Sequence, residues 1–422
     1  MNVSSKQPHL FKRYDLAIWI RIFGNALNAM TTFIIRPFLA IYLYDKLGGS
    51  LVSAMLVIGL QPFAGMLTGI FGGGLSDRFG RKPVMIIALL IQILGLGAYT
   101  LADNVWAFAA ITAIMGVGSA LFNPAANAMI SDVVDARQQT EVFALLHTAS
   151  NVGAAFGPVI GLLLFQWDST LVFITNALIL LAYLLLVLWK VPESVNRIPD
   201  QAQTEPVIPT SGRWLDHKVL YGITILAMPI GMIYALVISI LPFHLSDHFT
   251  HSADILASLM TFNGIMVIAL QLWVTKKTQL MLAYRVIGVS YALYALVAFG
   301  YGWSRYVALL FVIEFIFSIG EMLIGPQLQN EVSTMAPEGK RGFYFAIFGL
   351  HLQLPLAFGP VLGGLVYTAW NGTIMFMLLG ILFILAGAAQ VVLLRWLRKQ
   401  KQAVLKLDTS NLTVRNEESF ST

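Results

Sequence analysis

Long apolar runs separated by short polar breaks dominate this chain. "LVSAMLVIGL", "VMIIALLIQILGLGAYTLA", "LVFITNALILLAYLLLVLW" and "IMFMLLGILFILAGAAQVVLL" follow one another from end to end. Several exceed the roughly 18–20 apolar residues that carry a helix across a bilayer. Barrel strands alternate apolar with polar positions, and these runs do not. The pattern predicts helices over 16–44, 50–75, 83–101, 105–130, 141–166 and 170–190, then over 219–246, 254–275, 280–301, 306–330, 342–368 and 373–396. Twelve spans put both termini on one side. The longest break, 191–218, is rich in proline and polar residues and reads as a flexible linker. It divides a six-helix unit over 1–190 from a second over 219–396. The end of the chain, 397–422, closes on "DTSNLTVRNEESFST" and reads as a disordered tail.

The two units look like copies. "AFGPVIG" occupies 155–161 and "AFGPVLG" occupies 357–363, an offset of 202 residues. The same offset brings Pro124 onto Pro326, Ser131 onto Ser333 and Asn151 onto Gln353. The fourth helix thus matches the tenth and the fifth the eleventh. Parallel repeats of this kind are a transporter architecture, with the substrate site near the bilayer midplane between them. The expected fold class is an all-α integral membrane protein made of two parallel six-helix repeats.

Composition agrees: 58% of residues are hydrophobic and 11% charged, against about 25% charged in soluble domains. With the termini in the cytoplasm, the 26 Lys and Arg fall in cytoplasmic segments or at cytoplasmic helix ends, except Lys46, Arg305 and the intrahelical Arg21 and Arg36. The basic excess is therefore topogenic, and the net charge of +5 calls for no nucleic-acid partner. A multi-pass protein of the plasma (inner) membrane follows, surrounded by lipid and monomeric. The first fifteen residues are polar and basic and lack the features of a signal peptide. With no cysteine, thiolate chemistry and disulfides are excluded. No G-x-x-x-x-G-K-[ST], H-E-x-x-H or G-x-S-x-G occurs, which argues against ATP-driven transport and those hydrolytic enzymes. No metal or organic cofactor is expected; the energy source would be a proton gradient.

Between the second and third helices stands "GGLSDRFGRK", with Gly73, Asp77, Arg78, Gly80, Arg81 and Lys82. Here the chain resembles the major facilitator superfamily, whose signature in that loop reads G-x-x-x-D-R-x-G-R-K; every defined position matches. The resemblance in helix count, linker and repeat covers almost the whole chain. It implies transport by alternating access, with this loop as a latch on the cytoplasmic side. Glycine permits the tight turn. Asp77 would face the positive end of the eleventh helix near Gly342, or Arg137 in "DVVDARQQT". The corresponding stretch of the second half, "VTKKTQLMLAYR", keeps its basic residues without an aspartate, so no second latch is expected there.

"GAAFGPVIG", with Gly153, Gly157, Pro158 and Gly161, resembles the G-x-x-x-G-P-x-x-G pattern in the fifth helix of the superfamily's antiporters. Gly359, Pro360 and Gly363 form its copy. Proline bends the helix and small residues let another backbone approach, so packing and gating are both open. The arginine that drug exporters of this family often carry in the fourth helix is replaced by Thr112.

Charges at membrane depth cost about 2.5–3.5 kcal/mol even on mild scales. The tenth helix holds two, Glu314 and Glu321, in "FVIEFIFSIGEMLIGP". Seven residues make two turns, so they share a face about 10 Å apart. Desolvation favours the protonated form of a carboxylate, which makes Glu321 and Glu314 the proton-carrier candidates, with Asp132 the third. Direct pairing of Glu321 with a cationic substrate is open too, and competition between proton and substrate would itself give antiport. "GEMLIGP" resembles the tenth helix of small-drug/proton exporters of the superfamily, which carry a glutamate there. The bland alternative is a buried glutamate neutralised by a protein partner. Arg36 lies toward the outer half of the first helix, and Arg21 would pair with a carboxylate such as Glu141 or Asp132. His147 and His351 read as hydrogen-bonded core histidines or titrating groups. His244, His248 and His251 form no recognisable metal motif and read as a solvated loop.

Asn25, Asn28, Asn123, Asn127, Asn151, Gln327 and Gln353 complete the candidate cavity with Arg36. Amides among Phe, Met and Tyr suit an amphiphilic substrate better than a sugar. The sequence thus points to a proton-coupled antiporter exporting lipophilic, including cationic, small molecules. Export of a specific metabolite, lipid or sugar is the runner-up, and a non-transporting membrane receptor the alternative from another class. A receptor would bind without responding to a proton gradient.

Overall fold

The computed structural model describes residues 14–72, 75–134, 136–193, 217–278, 281–336 and 341–419. The described residues form helices and no strand: α1 (Leu16–Lys46), α2 (Leu51–Gly72), α3 (Leu75–Phe79), α4 (Arg81–Tyr99), α5 (Val105–Val133), α6 (Ala136–Trp167), α7 (Ser169–Lys190), α8 (Lys218–Ser239), α9 (Leu241–Ser246), α10 (Ser252–Thr278), α11 (Ala283–Trp303), α12 (Val307–Met335), α13 (Arg341–Ala369) and α14 (Gly372–Ser419). Twelve of them are long and apolar enough to cross a membrane; α3 and α9 are short. The protein is multi-pass.

Local chemistry sets several boundaries. Gly48 and Gly49 adopt positive φ, 66° and 79°, in the turn from α1 to α2, a region that glycine enters without steric cost. Asn104 caps α5 by accepting from the Ala107 N–H at 3.0 Å, and Asp168 caps α7 from the Thr170 N–H at 2.7 Å.

Two expectations change. The seventh helix, expected over 219–246, breaks at Ile240, because Pro242 near the start of α9 has no N–H to continue the ladder. The chain from 397, expected to be disordered, continues α14 to Ser419; after Gly387 neither proline nor glycine interrupts it. The bulk of the linker, 194–216, lies outside the described residues.

Packing repeats between the halves. In the first, α1 packs on α6 and α7, α2 on α5, and α4 on α5 and α7. In the second, α8 packs on α13 and α14, α10 on α12, and α11 on α12 and α14. The halves join through α2 on α13 and α6 on α10, two crossings that the repeat makes equivalent.

The duplicated heptad sits at both. On one face of α6, side chains at Gly153, Gly157 and Gly161 would run into the α1 backbone at Met30, Phe33 and Ile34. On α13, Gly359 and Gly363 meet Ala235 and Leu236 of α8. Two residues before each middle glycine, Ala155 and Ala357 point the opposite way. Ala155 packs on Gly264 of α10, and the Ala357 carbonyl packs on Gly59 of α2. Each copy therefore binds its own half by one face and the other half by the opposite face, with small residues letting backbones approach in both directions.

Candidate functional site

Glu321 occupies the midpoint of α12 and is half-buried. Its Oε2 accepts from Asn263 Nδ2 of α10 at 3.0 Å. Asn263 also reaches Ser318 Oγ at 3.0 Å, and the Tyr234 hydroxyl of α8, in the electrostatic reach of Glu321, lies 3.3 Å from the Tyr294 hydroxyl of α11. One turn from Ser318, Glu314 is buried and accepts a hydrogen bond from Tyr301. Four helices of the second half thus converge on two carboxylates. Each carboxylate is held by neutral donors, which stabilise its charge and leave it able to take up a proton.

Asn263, Ser318, Tyr234, Tyr294 and Tyr301 were not singled out by sequence. A signal was present. Tyr294 and Tyr301 are seven residues apart on α11, as Glu314 and Glu321 are on α12. Since α11 and α12 are antiparallel neighbours, pairing Tyr301 with Glu314 sets Tyr294 level with Glu321 in the same register.

Among the described residues, the side-chain contacts found between the halves run from mid-bundle to the end remote from the termini. Phe63 packs edge-on against Phe358 at 5.8 Å, Tyr44 against Phe243 at 5.1 Å, and Gln166 donates to Asp254 at 2.7 Å. The halves are therefore in contact at that end.

At the terminus-bearing end, Arg81 pairs with Asp132, Nε to Oδ2 at 3.2 Å, and donates to Ser76 Oγ at 2.7 Å. Glu193, just past α7, accepts from the backbone N–H groups of Arg81 and Lys82 at 3.0 and 3.1 Å, capping α4. Gly80, at φ 98°, makes the turn into that cap. Lys82 Nζ donates to the Leu188 carbonyl at 2.9 Å, and Arg78 lies over Phe79. Gly73 lies outside the described residues, as do the side chains of Asp77, Arg137, Glu141 and His147. Asp132, expected among the proton carriers, is exposed and holds Arg81 in this loop, far along the chain from the buried carboxylates.

Arg21 does not pair with Asp132 as expected. It is fully buried, bonds the amide oxygens of Asn25 and Asn127 at 3.4 Å each, and lies over the Phe122 ring. Asn25 in turn donates to the Leu146 carbonyl and Ser150 Oγ, pinning α1 to α6. Gln327 reaches the Thr278 carbonyl at 3.4 Å. These amides act partly as helix-to-helix ties. Asn123, Asn127 and Gln353 are exposed, Asn28 and Asn151 half-buried, and Arg36 is exposed over Phe33. Thr112 bonds the Tyr99 hydroxyl and the Phe108 carbonyl. His351 Nδ1 donates to the Phe348 carbonyl at 2.5 Å.

The histidine cluster is not a solvated loop throughout. His244 is 2% exposed; its Nε2 bonds the Tyr301 carbonyl at 3.0 Å, and Gly372 packs against Nδ1. Burial pushes its pKa below the usual histidine value. Among the described residues no cluster suited to a metal occurs.

The family model "Major Facilitator Superfamily" matches residues 22–354 and, in its second alignment, 223–414. The MFS-type transporter YhjO of Bacillus subtilis is 28% identical over 89% of this chain and 92% of its own. A Na(+), Li(+), K(+)/H(+) antiporter of Planococcus maritimus is 26% identical over 89% of this chain and 95% of its own. Multidrug resistance protein MdtH of Salmonella choleraesuis is 29% identical over a shorter stretch, 42% of this chain and 44% of its own. Among solved structures, the POT family transporter PepTSo superposes with a TM-score of 0.76 at 13% identity, over 92% and 99% of the two chains.

Proposed function

The chain belongs to the major facilitator superfamily and is a secondary transporter, and from that premise we propose that it is a proton-coupled antiporter exporting lipophilic small molecules, cations among them. In this reading it sits in the plasma membrane with both termini in the cytoplasm. The observation that carries the proposal is Glu321: a carboxylate at the midpoint of its span, held by the Asn263 amide with the Tyr234 phenol in its electrostatic reach. A proton on Glu321 would weaken its hold on a cation, and a bound cation would favour release of the proton. One site occupied by either in turn gives exchange.

The two halves would rock about the α2–α13 and α6–α10 crossings. The arrangement described is then the state sealed at the outer end, and the loop around Arg81 acts as the latch in the opposite one. Glu314, deeper and tied to Tyr301, would serve as the second proton position. Exchange of monovalent cations for protons is a second reading, supported by the Planococcus relative along nearly its whole length.

Inverted membrane vesicles with an acid interior test both. A pH-sensitive dye reports dissipation of the gradient when ethidium is added, and separately when sodium or lithium chloride is added. The proposal expects a response to ethidium that Glu321→Gln abolishes. Ethidium exchange untouched by Glu321→Gln would remove Glu321 from the mechanism. A response to sodium or lithium alone would replace drug export by the second reading.

A further inference from the structure

Outside the transport site, one ring gathers three cations. Tyr284, at the start of α11, has the guanidinium of Arg395 5.0 Å from its ring centre, that of Arg285 at 5.9 Å and that of Arg398 at 6.0 Å. Arg395 and Arg398 are three residues apart on α14 and so share a face. All three arginines are exposed, and among the described residues none is paired with a carboxylate. The sequence is consistent with this: no Asp or Glu occurs from Ile255 to Ile313 or from Gly339 to Leu407, the segments that hold α11 and the membrane-spanning part of α14. The first half differs, since there Asp132 and Glu193 answer the basic residues of the α3–α4 loop.

The cluster lies where two candidate membrane spans end on the terminus-bearing side, which would set it near the lipid headgroups. Next to it, Trp396 is 48% exposed, an amphipathic ring suited to that interface. Along the same two helices, Val289, Leu296, Leu385 and Val392 are exposed and apolar, a surface for acyl chains. Arginine binds phosphate oxygens in a fixed fork, and the Tyr284 face orients the guanidiniums through cation–π attraction.

We propose that Tyr284, Arg285, Arg395 and Arg398 form a binding site for the phosphate of an anionic phospholipid, seated between α11 and α14 on the outside of the second half. Such a lipid supplies the negative charge that the protein itself withholds there. Its position on helices packed mainly within their own half would fix that half in the leaflet while the other tilts.

Native mass spectrometry of the full chain in neutral detergent tests the site. The wild type is titrated with phosphatidylglycerol and, separately, with phosphatidylcholine; the same titrations follow for Arg395→Gln/Arg398→Gln. Wild type should prefer phosphatidylglycerol, and the double variant should bind it more than about tenfold more weakly, with phosphatidylcholine unchanged. Equal affinity for the two lipids in the wild type overturns the proposal without reference to any variant. So does unaltered phosphatidylglycerol binding in a variant with wild-type melting. Displacement by equimolar inorganic phosphate would overturn the lipid assignment in favour of a free-anion site.

Discussion

Gly264 on α10 touches the backbone of Ala155 on α6, and so couples the two halves at a point where no side chain intervenes. A methyl at Gly264 would stand 2.9 Å from the Ala155 Cα and 3.0 Å from its nitrogen. Ordinary contact begins at 3.4 Å, so the crossing must open by about half an ångström, and neither atom is a side chain able to turn away. Overpacking of this kind costs about 1–3 kcal/mol. If the cost falls on the sealed state alone, it shifts the sealed-to-open equilibrium by about fivefold to 150-fold. Gly264→Val should lie at the upper end. The chain has no cysteine, so Gln166→Cys/Asp254→Cys makes a clean reporter on the same helix pair, at a point where the native side chains lie 2.7 Å apart. The rate of disulfide formation across this pair follows the fraction of sealed protein and should fall in Gly264→Ala, by up to that factor where the sealed state is the minor one. Gly153→Ala is the control: its methyl would strike Met30 and Ala26 of α1, within one half. That change should lower the melting temperature while leaving the crosslinking rate of the folded protein alone. Equal crosslinking in Gly264→Ala and its parent would refute the argument that backbone contact at this crossing holds the outer end shut.

Three further expectations use other parts of the structure. Asp132→Asn breaks an exposed pair with Arg81, so the stability loss should stay within about 1 kcal/mol, measured by thermal melting in detergent; a larger loss would show that the pair bears on folding. Glu193→Ala removes the acceptor for two N–H groups at the start of α4 and should cost about 1 kcal/mol, with hydrogen exchange rising at Arg81 and Lys82. For His244 the folded pKa lies below the ordinary value because of burial. Protonation then favours the unfolded chain, so stability is fully present above the unfolded pKa and falls as pH drops through it toward the folded one. Melting curves from pH 7.5 to 5.5 should show a decline for wild type that is smaller in His244→Gln; parallel declines would place the titration elsewhere.

The twelve spans and the repeat were legible because bilayer solvation acts on each helix separately, and a run of apolar residues carries its own signal. The two buried glutamates were legible for the same reason, as charges where the solvent forbids them. What surrounds them was not. Asn263, Tyr234, Tyr294 and Tyr301 are ordinary residues in their own helices and acquire meaning only where α8, α10, α11 and α12 meet. His244 was misread because its burial depends on Gly372, whose missing side chain lets the ring pack 128 residues away along the chain. Arg21 was expected beside Glu141 or Asp132; the Glu141 side chain lies outside the described residues, and Arg21 bonds two amides rather than Asp132. That outcome changes the electrostatic picture. The first half buries a cation bonded to amide oxygens, and the second holds one buried and one half-buried carboxylate that accept from a phenol and an amide. Each half thus keeps a charge that a partner outside it could answer. The duplicated heptad, which binds its own half by its glycines and the opposite half through its alanine, sets the distance across which such an answer is made.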